Sequence, residues 1–204
     1  MDMAMKIPKT FQQRHNIRAA GEEAQPIEEC ILDVTIPESD LTEWCWAAVT
    51  VGIAEAYGDT MEMQCDVASR VKHCSCCLPD VDFDCCNKPA DDLETPLDSH
   101  CGTVFTCPMH RTSDFVKKRI KDGSPIAVRI DWGDGSGHFI VIRGYRVMPK
   151  PLGFELHVCD PDLPGMSTPM PFANVLSYYG QAKGFWERSY ETKNSKPVPY
   201  IICR

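Results

Sequence analysis

The segment from Trp44 to Gly58 is apolar on nearly every face and carries a single carboxylate, Glu55. A helix with so little polar surface has to be buried on all sides, so the rest of the chain must surround about four helical turns. We predict a buried helix that has Thr42 as its candidate N-cap and ends at Gly58. With 204 residues, of which 43% are apolar, the chain is large enough to enclose such a helix in one domain.

Helical patterns come first in the sequence and strand patterns follow. Further helices are predicted at about residues 61–72 and from Ser113 to Gly123, with a cysteine-rich loop between them that extends to about residue 110. This order favours an α+β protein with a helical lobe and an antiparallel sheet or half-barrel. Apolar segments bounded by glycine and proline turns predict strands at residues 30–36, 125–131, 138–145, 154–159, 185–192 and 198–203.

The 12 cysteines are more than a globular chain of this length usually carries, and six of them lie between residues 65 and 86. We favour disulfide bonds among these six, because the region has few apolar residues to stabilise it. A zinc site completed by His73, or free thiols, are the alternatives, and the sequence does not select a pairing. The six residues are Cys65, Cys74, Cys76, Cys77, Cys85 and Cys86.

Residues 1–28 are polar and show no apolar periodicity, so we predict a flexible N-terminal tail. They contain no apolar run of signal-peptide length, and no segment of the chain reaches the roughly 20 apolar residues of a membrane span. We therefore expect a protein made in the cytoplasm, whose secretion would need a dedicated export system. The formal net charge of −8 argues against nucleic acid or a membrane as a partner. The sequence gives no indication of the oligomeric state.

Cys45 lies at the start of the predicted buried helix. Most cysteines in such apolar surroundings are simply core residues. At a helix N-terminus, however, free backbone N–H groups and the helix dipole favour a thiolate, and they also stabilise the oxyanion of a tetrahedral intermediate. Cys45 is therefore a candidate nucleophile.

A thiol nucleophile needs a base and a group that orients the base. His138 follows a glycine-rich loop and opens an apolar strand, so it can point into a cleft. Asp160 ends the next strand, and antiparallel pairing of the two strands would bring its carboxylate level with His138. The alternatives are that His138 is a strand-edge histidine without a functional role and that Asp160 only begins a turn before Pro161. Alternation along the same strand predicts that His157 faces solvent.

These segments resemble those of the papain-like cysteine peptidases. The similarity is greatest to the bacterial branch that includes plant-pathogen effector proteases and the peptidase domains of bacteriocin exporters. It covers about residues 30–195. The matching residues are Trp44-Cys45-Trp46-Ala47-Ala48, Gln64-Cys65 with Cys76-Cys77 and Cys86-Asn87, Gly137-His138-Phe139-Ile140-Val141-Ile142 with Gly144-Tyr145, Val158-Cys159-Asp160-Pro161, and the late aromatics Tyr178-Tyr179-Gly180, Trp186 and Tyr190.

The resemblance implies a two-lobe papain-like fold and a proteolytic activity. We expect one peptidase domain at residues 29–204, with a helical lobe over about 29–122 that includes the cysteine-rich loop at 65–110, and a β lobe over about 123–204. The implied substrate is a protein or peptide, and the implied reaction needs no cofactor and no metal. The implied setting is a bacterial exported effector or toxin, or peptide maturation.

The family also implies a role for each site residue. Cys45 would attack the carbonyl carbon, His138 would accept the thiol proton and later protonate the leaving amine, and Asp160 would orient His138. The residues expected to line the substrate cleft are Trp44, Trp46 and Gly137.

One position departs from the family pattern. Six residues before the nucleophile the family usually has a glutamine whose amide helps to bind the oxyanion, whereas this chain has Ser39. Loss of one such donor costs on the order of 100-fold in rate. Either the loop brings Ser39 closer, or another donor replaces it, or the enzyme is slow or inactive. Two alternatives therefore stand beside the protease: a papain-fold binding module, and a deamidase or transglutaminase that uses the same triad.

Overall fold

The structure, a computed structural model, describes residues 28–59, 62–78, 82–101, 103–149, 153–165, 169–193 and 196–204. Nearly all of the predicted tail at residues 1–28 lies outside the described residues. The described helices are α1 (Cys45–Ala56), α2 (Gln64–Lys72), α3 (Phe83–Cys86), α4 (Glu94–Cys101), α5 (Ser113–Lys121) and α6 (Phe172–Ser177). The described strands are β1 (Glu28–Leu32), β2 (Thr103–Cys107), β3 (Ile126–Asp131), β4 (Gly137–Met148), β5 (Gly153–Cys159), β6 (Met170–Pro171), β7 (Phe185–Lys193) and β8 (Tyr200–Cys203). None of these helices combines the length and the apolar character that a membrane crossing requires.

The predicted buried helix is α1. Residues 45–54 are all buried, as their apolar composition requires. Gly58 follows the helix with a φ of +91°, a left-handed conformation that glycine adopts without strain at a helix end. The predicted N-cap is wrong, because Trp44 occupies that position. Thr42 lies two residues earlier, and its hydroxyl accepts a hydrogen bond from the Asn87 side chain.

The described strands form an antiparallel sheet in the order β2-β7-β3-β4-β1-β8, with β5 paired to β4 and β6 paired to β5. β4 is the central element. One of its edges pairs with β3 along residues 137–142 and with β1 along residues 144–147, and the other edge pairs with β5. The helix α1 packs against β4, which places the helix start close to the beginning of that strand. The mixture of helices and antiparallel strands confirms the predicted α+β class.

The cysteine-rich region is more regular than the predicted loop. It contains α3, α4 and β2, and β2 pairs with β7. Leu93 and Leu97 are fully buried beside and within α4, so the region does contribute to the core. The N-terminal part of the chain therefore supplies two strands, β1 and β2, to the sheet that the C-terminal strands build.

Disulfide bonds, the favoured alternative, join the six clustered cysteines. A fourth disulfide, which the sequence did not predict, connects Cys30 of β1 to Cys203 of β8, where the two residues lie opposite each other in the sheet. The free cysteines among the described residues are Cys45, Cys107 and Cys159. The three disulfides of the cluster are Cys65–Cys77, Cys74–Cys85 and Cys76–Cys86.

Gly52 allows α1 to approach the chain that follows β1. A Cβ atom at this position would lie 2.6 Å from the carbonyl oxygen of Thr35 and 2.5 Å from Cδ1 of Ile36. We expect Gly52→Ala to lower the free energy of unfolding by about 1–3 kcal/mol, because overpacking against the backbone outweighs the helix propensity gained with alanine, about 1 kcal/mol. Urea denaturation measures the difference. Glu55→Ala, an exposed position on the same helix, should change the stability by less than about 0.5 kcal/mol. A Gly52→Ala variant as stable as the wild type would contradict the close approach.

Candidate active site

A cavity of about 320 Å³ lies where the start of α1 meets the start of β4. Cys45, the first residue of α1, and His138, the second residue of β4, both line this cavity. Cys45 is 9% exposed, so most of its surface is covered by the core. The N–H groups in the first turn of a helix have no acceptor within the helix, and the helix dipole adds to their partial positive charge. Cys45 therefore lines the cavity at the N-terminal end of α1, which is the end of the helix that stabilises an anion.

The pairing of β4 with β3 fixes the position of His138, which lies opposite Ile130. The preceding Gly137 leaves room for a neighbouring side chain, since a Cβ atom there would lie 2.7 Å from Cζ of Arg129. Trp132 packs on the imidazole, with ring centroids 6.2 Å apart and an interplanar angle of 19°. As a result, His138 is only 6% exposed and has little freedom to rotate.

The β4–β5 hairpin brings Asp160 to His138. Cys159, the last residue of β5, lies opposite Val141, so Asp160 continues toward the beginning of β4. The Nε2 atom of His138 and the Oδ1 atom of Asp160 are 2.6 Å apart and form a hydrogen bond. Because Nε2 is engaged by Asp160, Nδ1 is the ring nitrogen left for Cys45, which is one of the groups that raise the pKa of His138.

The electrostatics of this arrangement favour a protonated imidazole. Burial alone lowers the pKa of His138, but the hydrogen bonds and charges of Asp160 and Cys45 outweigh it and raise that pKa to about 10. Burial likewise raises the pKa of Asp160, yet the His138 partner reverses the effect and holds the pKa of this carboxyl below its ordinary value. The two shifts describe an imidazolium bound to a carboxylate. A protonated His138 is the partner that a thiolate nucleophile requires.

Two further residues donate hydrogen bonds to the carboxylate of Asp160. Tyr179 donates its hydroxyl to Asp160 Oδ2 at 2.6 Å, and the backbone N–H of Asp162 donates to Oδ1 at 2.9 Å. Burial, together with the nearby Asp160 charge, raises the pKa of Tyr179, so this hydroxyl remains a donor. The Asp162 carboxylate lies 3.6 Å from Nδ1 of His138 at the edge of the cavity, with its side chain 62% exposed.

Sequence reasoning missed the roles of these two residues. Tyr179 was noted only among the family-like aromatics, and a tyrosine 19 residues after the carboxylate it contacts carries no local signal. Asp162 lies two residues after Asp160 and could have been suspected from that spacing alone.

The three predicted cleft residues have different positions. Trp46 and Gly137 line the cavity, as expected. Trp44 does not, because it is 2% exposed and its indole Nε1–H donates to the carbonyl oxygen of Cys86 at 2.8 Å.

Ser39 does not line the cavity that Cys45 and His138 line. It lines a neighbouring cavity of about 370 Å³, and its buried hydroxyl has no hydrogen-bond partner among the described residues. The loop that carries it is held by Gln64, whose side chain accepts from the Asp40 backbone N–H at 3.1 Å and donates to the Glu38 carbonyl at 2.6 Å. Ser39 is therefore not among the residues that line the cavity of Cys45.

His157 does not face solvent as predicted. It is 6% exposed, and its Nε2 lies 3.1 Å from Oε1 of Glu29. The reason is that β1 and β5 flank β4 in the sheet, and the Glu29 side chain reaches across β4 from β1 to the imidazole. Burial lowers the pKa of His157 in spite of the Glu29 partner. The pKa values of the two buried histidines of the sheet are therefore shifted in opposite directions.

Two groups among the described residues bring three possible metal ligands together. In the first, Cys65 and Cys77 flank Asp66 but are joined in a disulfide. The second consists of His138 and Asp160 with Asp162, and its two buried members already bond to each other. In each group, therefore, two of the three residues are already bonded to each other.

A cysteine at a helix start, beside a histidine that is bound to a carboxylate, is the arrangement expected of a papain-like cysteine peptidase. The family model described as papain-like cysteine protease AvrRpt2 matches residues 31–171, and the chain belongs to this family. A crystal structure of a C39-like peptidase from Bacillus anthracis has a TM-score of 0.51 and 12% sequence identity, over 82% of this chain and 99% of that one. At this identity the likeness concerns the fold alone. No curated protein matches the sequence.

The raised pKa of His138 predicts how hydrolysis depends on pH. If His138 supplies the proton of the leaving amine, the rate should fall as the pH rises through about 10, where this group loses its proton, and not through the ordinary histidine value near 6.5. In Asp160→Ala the largest favourable partner is gone and burial still disfavours the imidazolium, so the alkaline fall should move down by about 1 pH unit or more. The pH profile of kcat/KM on a mixture of fluorogenic peptides measures both. The control is Asp33→Ala, at an exposed position outside the cavity, which should leave the profile unchanged. If the alkaline limb of Asp160→Ala stays where it is in the wild type, Asp160 is not the residue that raises the pKa of His138.

Proposed function

We propose that this member of the papain-like cysteine protease family hydrolyses peptide or isopeptide bonds through a thioester acyl-enzyme, with Cys45, His138 and Asp160 as its catalytic triad. One observation carries the proposal. Cys45, at the start of α1, shares a cavity with His138, and the 2.6 Å hydrogen bond to Asp160 leaves Nδ1 of that histidine for the thiol. A structural cysteine needs none of these partners.

The reaction begins with attack of the Cys45 thiolate on the carbonyl carbon of the substrate. The carbonyl oxygen becomes an oxyanion next to the start of α1, where the backbone N–H of Cys45 supports it. His138 then passes its Nδ1 proton to the leaving amine as the C–N bond breaks and a thioester remains. His138 next takes a proton from water, which hydrolyses the thioester and restores the thiolate.

Asp160 acts throughout as the residue that orients His138. Its carboxylate fixes the ring through Nε2, and the Tyr179 hydroxyl holds the other carboxylate oxygen in place. This keeps Nδ1 directed at Cys45 while the proton moves in both directions. We further propose a two-lobe arrangement in which the α1 side and the β4 side face each other across the cavity.

The oxyanion of this enzyme is stabilised by backbone N–H groups and not by a side-chain donor. Ser39 lies on the neighbouring cavity, so we propose that it takes no part in catalysis. With one side-chain donor fewer than its relatives usually have, the enzyme should be slower by about 100-fold than one that has the glutamine. The same observation favours the second candidate function, a papain-fold binding module with little or no turnover.

The four disulfides among the described residues suit a protein that works in an oxidising compartment. The family to which the chain belongs is that of AvrRpt2, a papain-like cysteine protease. Together with the sequence resemblance to effector proteases, this supports a proposal that the chain is an exported bacterial effector or toxin with a protein or peptide substrate.

The products of the reaction distinguish the candidate functions. We expect the oxidised full-length protein, incubated with a peptide library in water enriched in heavy oxygen, to give new peptide ends whose carboxyl groups carry the label. Cys45→Ala should abolish them, because no other group can form the thioester, whereas Cys107→Ala should not, since that free cysteine lies outside the cavity. Mass spectrometry of the peptides is the measurement. Conversion of glutamine to labelled glutamate would instead indicate deamidation, and the addition of an amine at glutamine would indicate transglutamination. No product at all would favour the binding module.

A further inference from the structure

The chain that leads into the nucleophile has no cap of its own. Trp44, at the N-cap position of α1, makes no side-chain capping bond. The preceding residues, Thr42 and Glu43, are exposed and line the cavity beside Cys45. Something else must hold this segment, because a helix start without a capping side chain is prone to fraying.

Asn87 supplies that support from a distance of more than 40 residues along the chain. Its Oδ1 accepts a hydrogen bond from the backbone N–H of Glu43 at 3.0 Å, and its Nδ2 donates to the hydroxyl of Thr42 at 3.0 Å. One amide therefore bonds two consecutive residues just before the helix, in the manner of a capping side chain supplied by another segment.

The residues on either side of Asn87 hold the two tryptophans that flank the nucleophile. The carbonyl oxygen of Cys86 accepts from Nε1 of Trp44 at 2.8 Å, and the carbonyl oxygen of Lys88 accepts from Nε1 of Trp46 at 3.1 Å. Three consecutive residues, 86–88, thus make four hydrogen bonds to four residues, 42, 43, 44 and 46, around Cys45.

Disulfides fix the 86–88 segment in turn. Cys86 is bonded to Cys76 and is fully buried, and its neighbour Cys85 is bonded to Cys74. The backbone N–H of Cys76 donates to the hydroxyl of Ser69 in α2 at 2.8 Å, which connects the disulfide pair to a regular helix. The position of Asn87 is therefore set by covalent bonds and not by a flexible loop.

We propose that Asn87 is a positioning residue for the nucleophile: held by the Cys76–Cys86 disulfide, it fixes the start of α1 so that Cys45 stays against His138. This inference rests on the proposed function. Catalysis by a thiolate is sensitive to such positioning, because a displacement of about 1 Å can cost 100-fold in rate.

The test compares amide variants at two positions. The rate at which iodoacetamide alkylates Cys45 in the oxidised full-length protein is followed by mass spectrometry across a range of pH, well below the unfolding temperature. We expect Asn87→Ala to slow alkylation at neutral pH by about 10- to 100-fold and to shift the pH at which the rate is half-maximal, because Cys45 is then held less firmly against His138. Asn87→Asp keeps the acceptor for Glu43 but loses the donor to Thr42, so its rate should fall between those of the wild type and Asn87→Ala.

Two matched controls separate positioning from general stability. Asn174→Ala, at an exposed position in α6, should leave the rate and the pH midpoint unchanged. The double variant Cys76→Ser with Cys86→Ser, by contrast, should behave like Asn87→Ala, because it removes the disulfide that holds Asn87. Its matched control is Cys30→Ser with Cys203→Ser, which removes the disulfide between β1 and β8 and should leave Cys45 as reactive as before.

The outcomes tell the two proposals apart. If Cys45 of the wild type reacts no faster than Cys107 in the same sample, the proposed function fails. If wild-type Cys45 reacts fast and Asn87→Ala keeps both its rate and its pH midpoint, the positioning role is wrong while the function stands. Circular dichroism verifies the fold of each variant, and where Asn87→Ala does not fold, the less disruptive Asn87→Asp decides by the same two readouts.

Discussion

The hydrogen bond between Nε2 of His138 and Oδ1 of Asp160 is the interaction on which the site depends. It forms where the β4–β5 hairpin returns to the start of β4, and at 2.6 Å it ties together two side chains that are each almost fully buried. Burial works against both charges, and each residue is the partner that most strongly stabilises the charge of the other. Because Asp160 engages one ring nitrogen, the other is left for Cys45, and the pair becomes chemically useful only through that orientation.

The two halves of the chain are stabilised in different ways. The sheet and α1 form a continuous apolar core in which Trp46, Tyr145 and Tyr190 are among the largest fully buried side chains. The segment around α2 and α3 has few buried apolar residues and is held by three disulfides instead. Cys45, the proposed nucleophile, lies at the boundary between the two: its helix is embedded in the core, while the chain leading into it is held by the disulfide-bonded segment. The density of cysteines and the chemistry of Cys45 are in this sense connected.

Much of the fold could be predicted from local patterns. The apolar run of α1 required a buried helix, and the alternation of apolar segments with glycine and proline turns predicted the main strands. The meeting of His138 with Asp160 followed from the geometry of an antiparallel hairpin, which is a local property of the chain. What the sequence did not reveal depends on contacts between distant segments. The hydroxyl of Tyr179, the amide of Asn87 and the Cys30–Cys203 disulfide are of this kind. His157 was expected at the surface because the side chain that covers it, Glu29, comes from the other end of the chain.

The central claim is that the resting enzyme holds His138 as an imidazolium between Asp160 and Cys45, and nitrogen NMR of the labelled full-length protein tests it directly. The account predicts that both ring nitrogens of His138 stay protonated from neutral pH to about pH 10, while His157, whose pKa is lowered by burial, is neutral over the same range and serves as an internal reference. A His138 ring that is neutral at pH 7, with a titration near the ordinary value of about 6.5, would contradict the account.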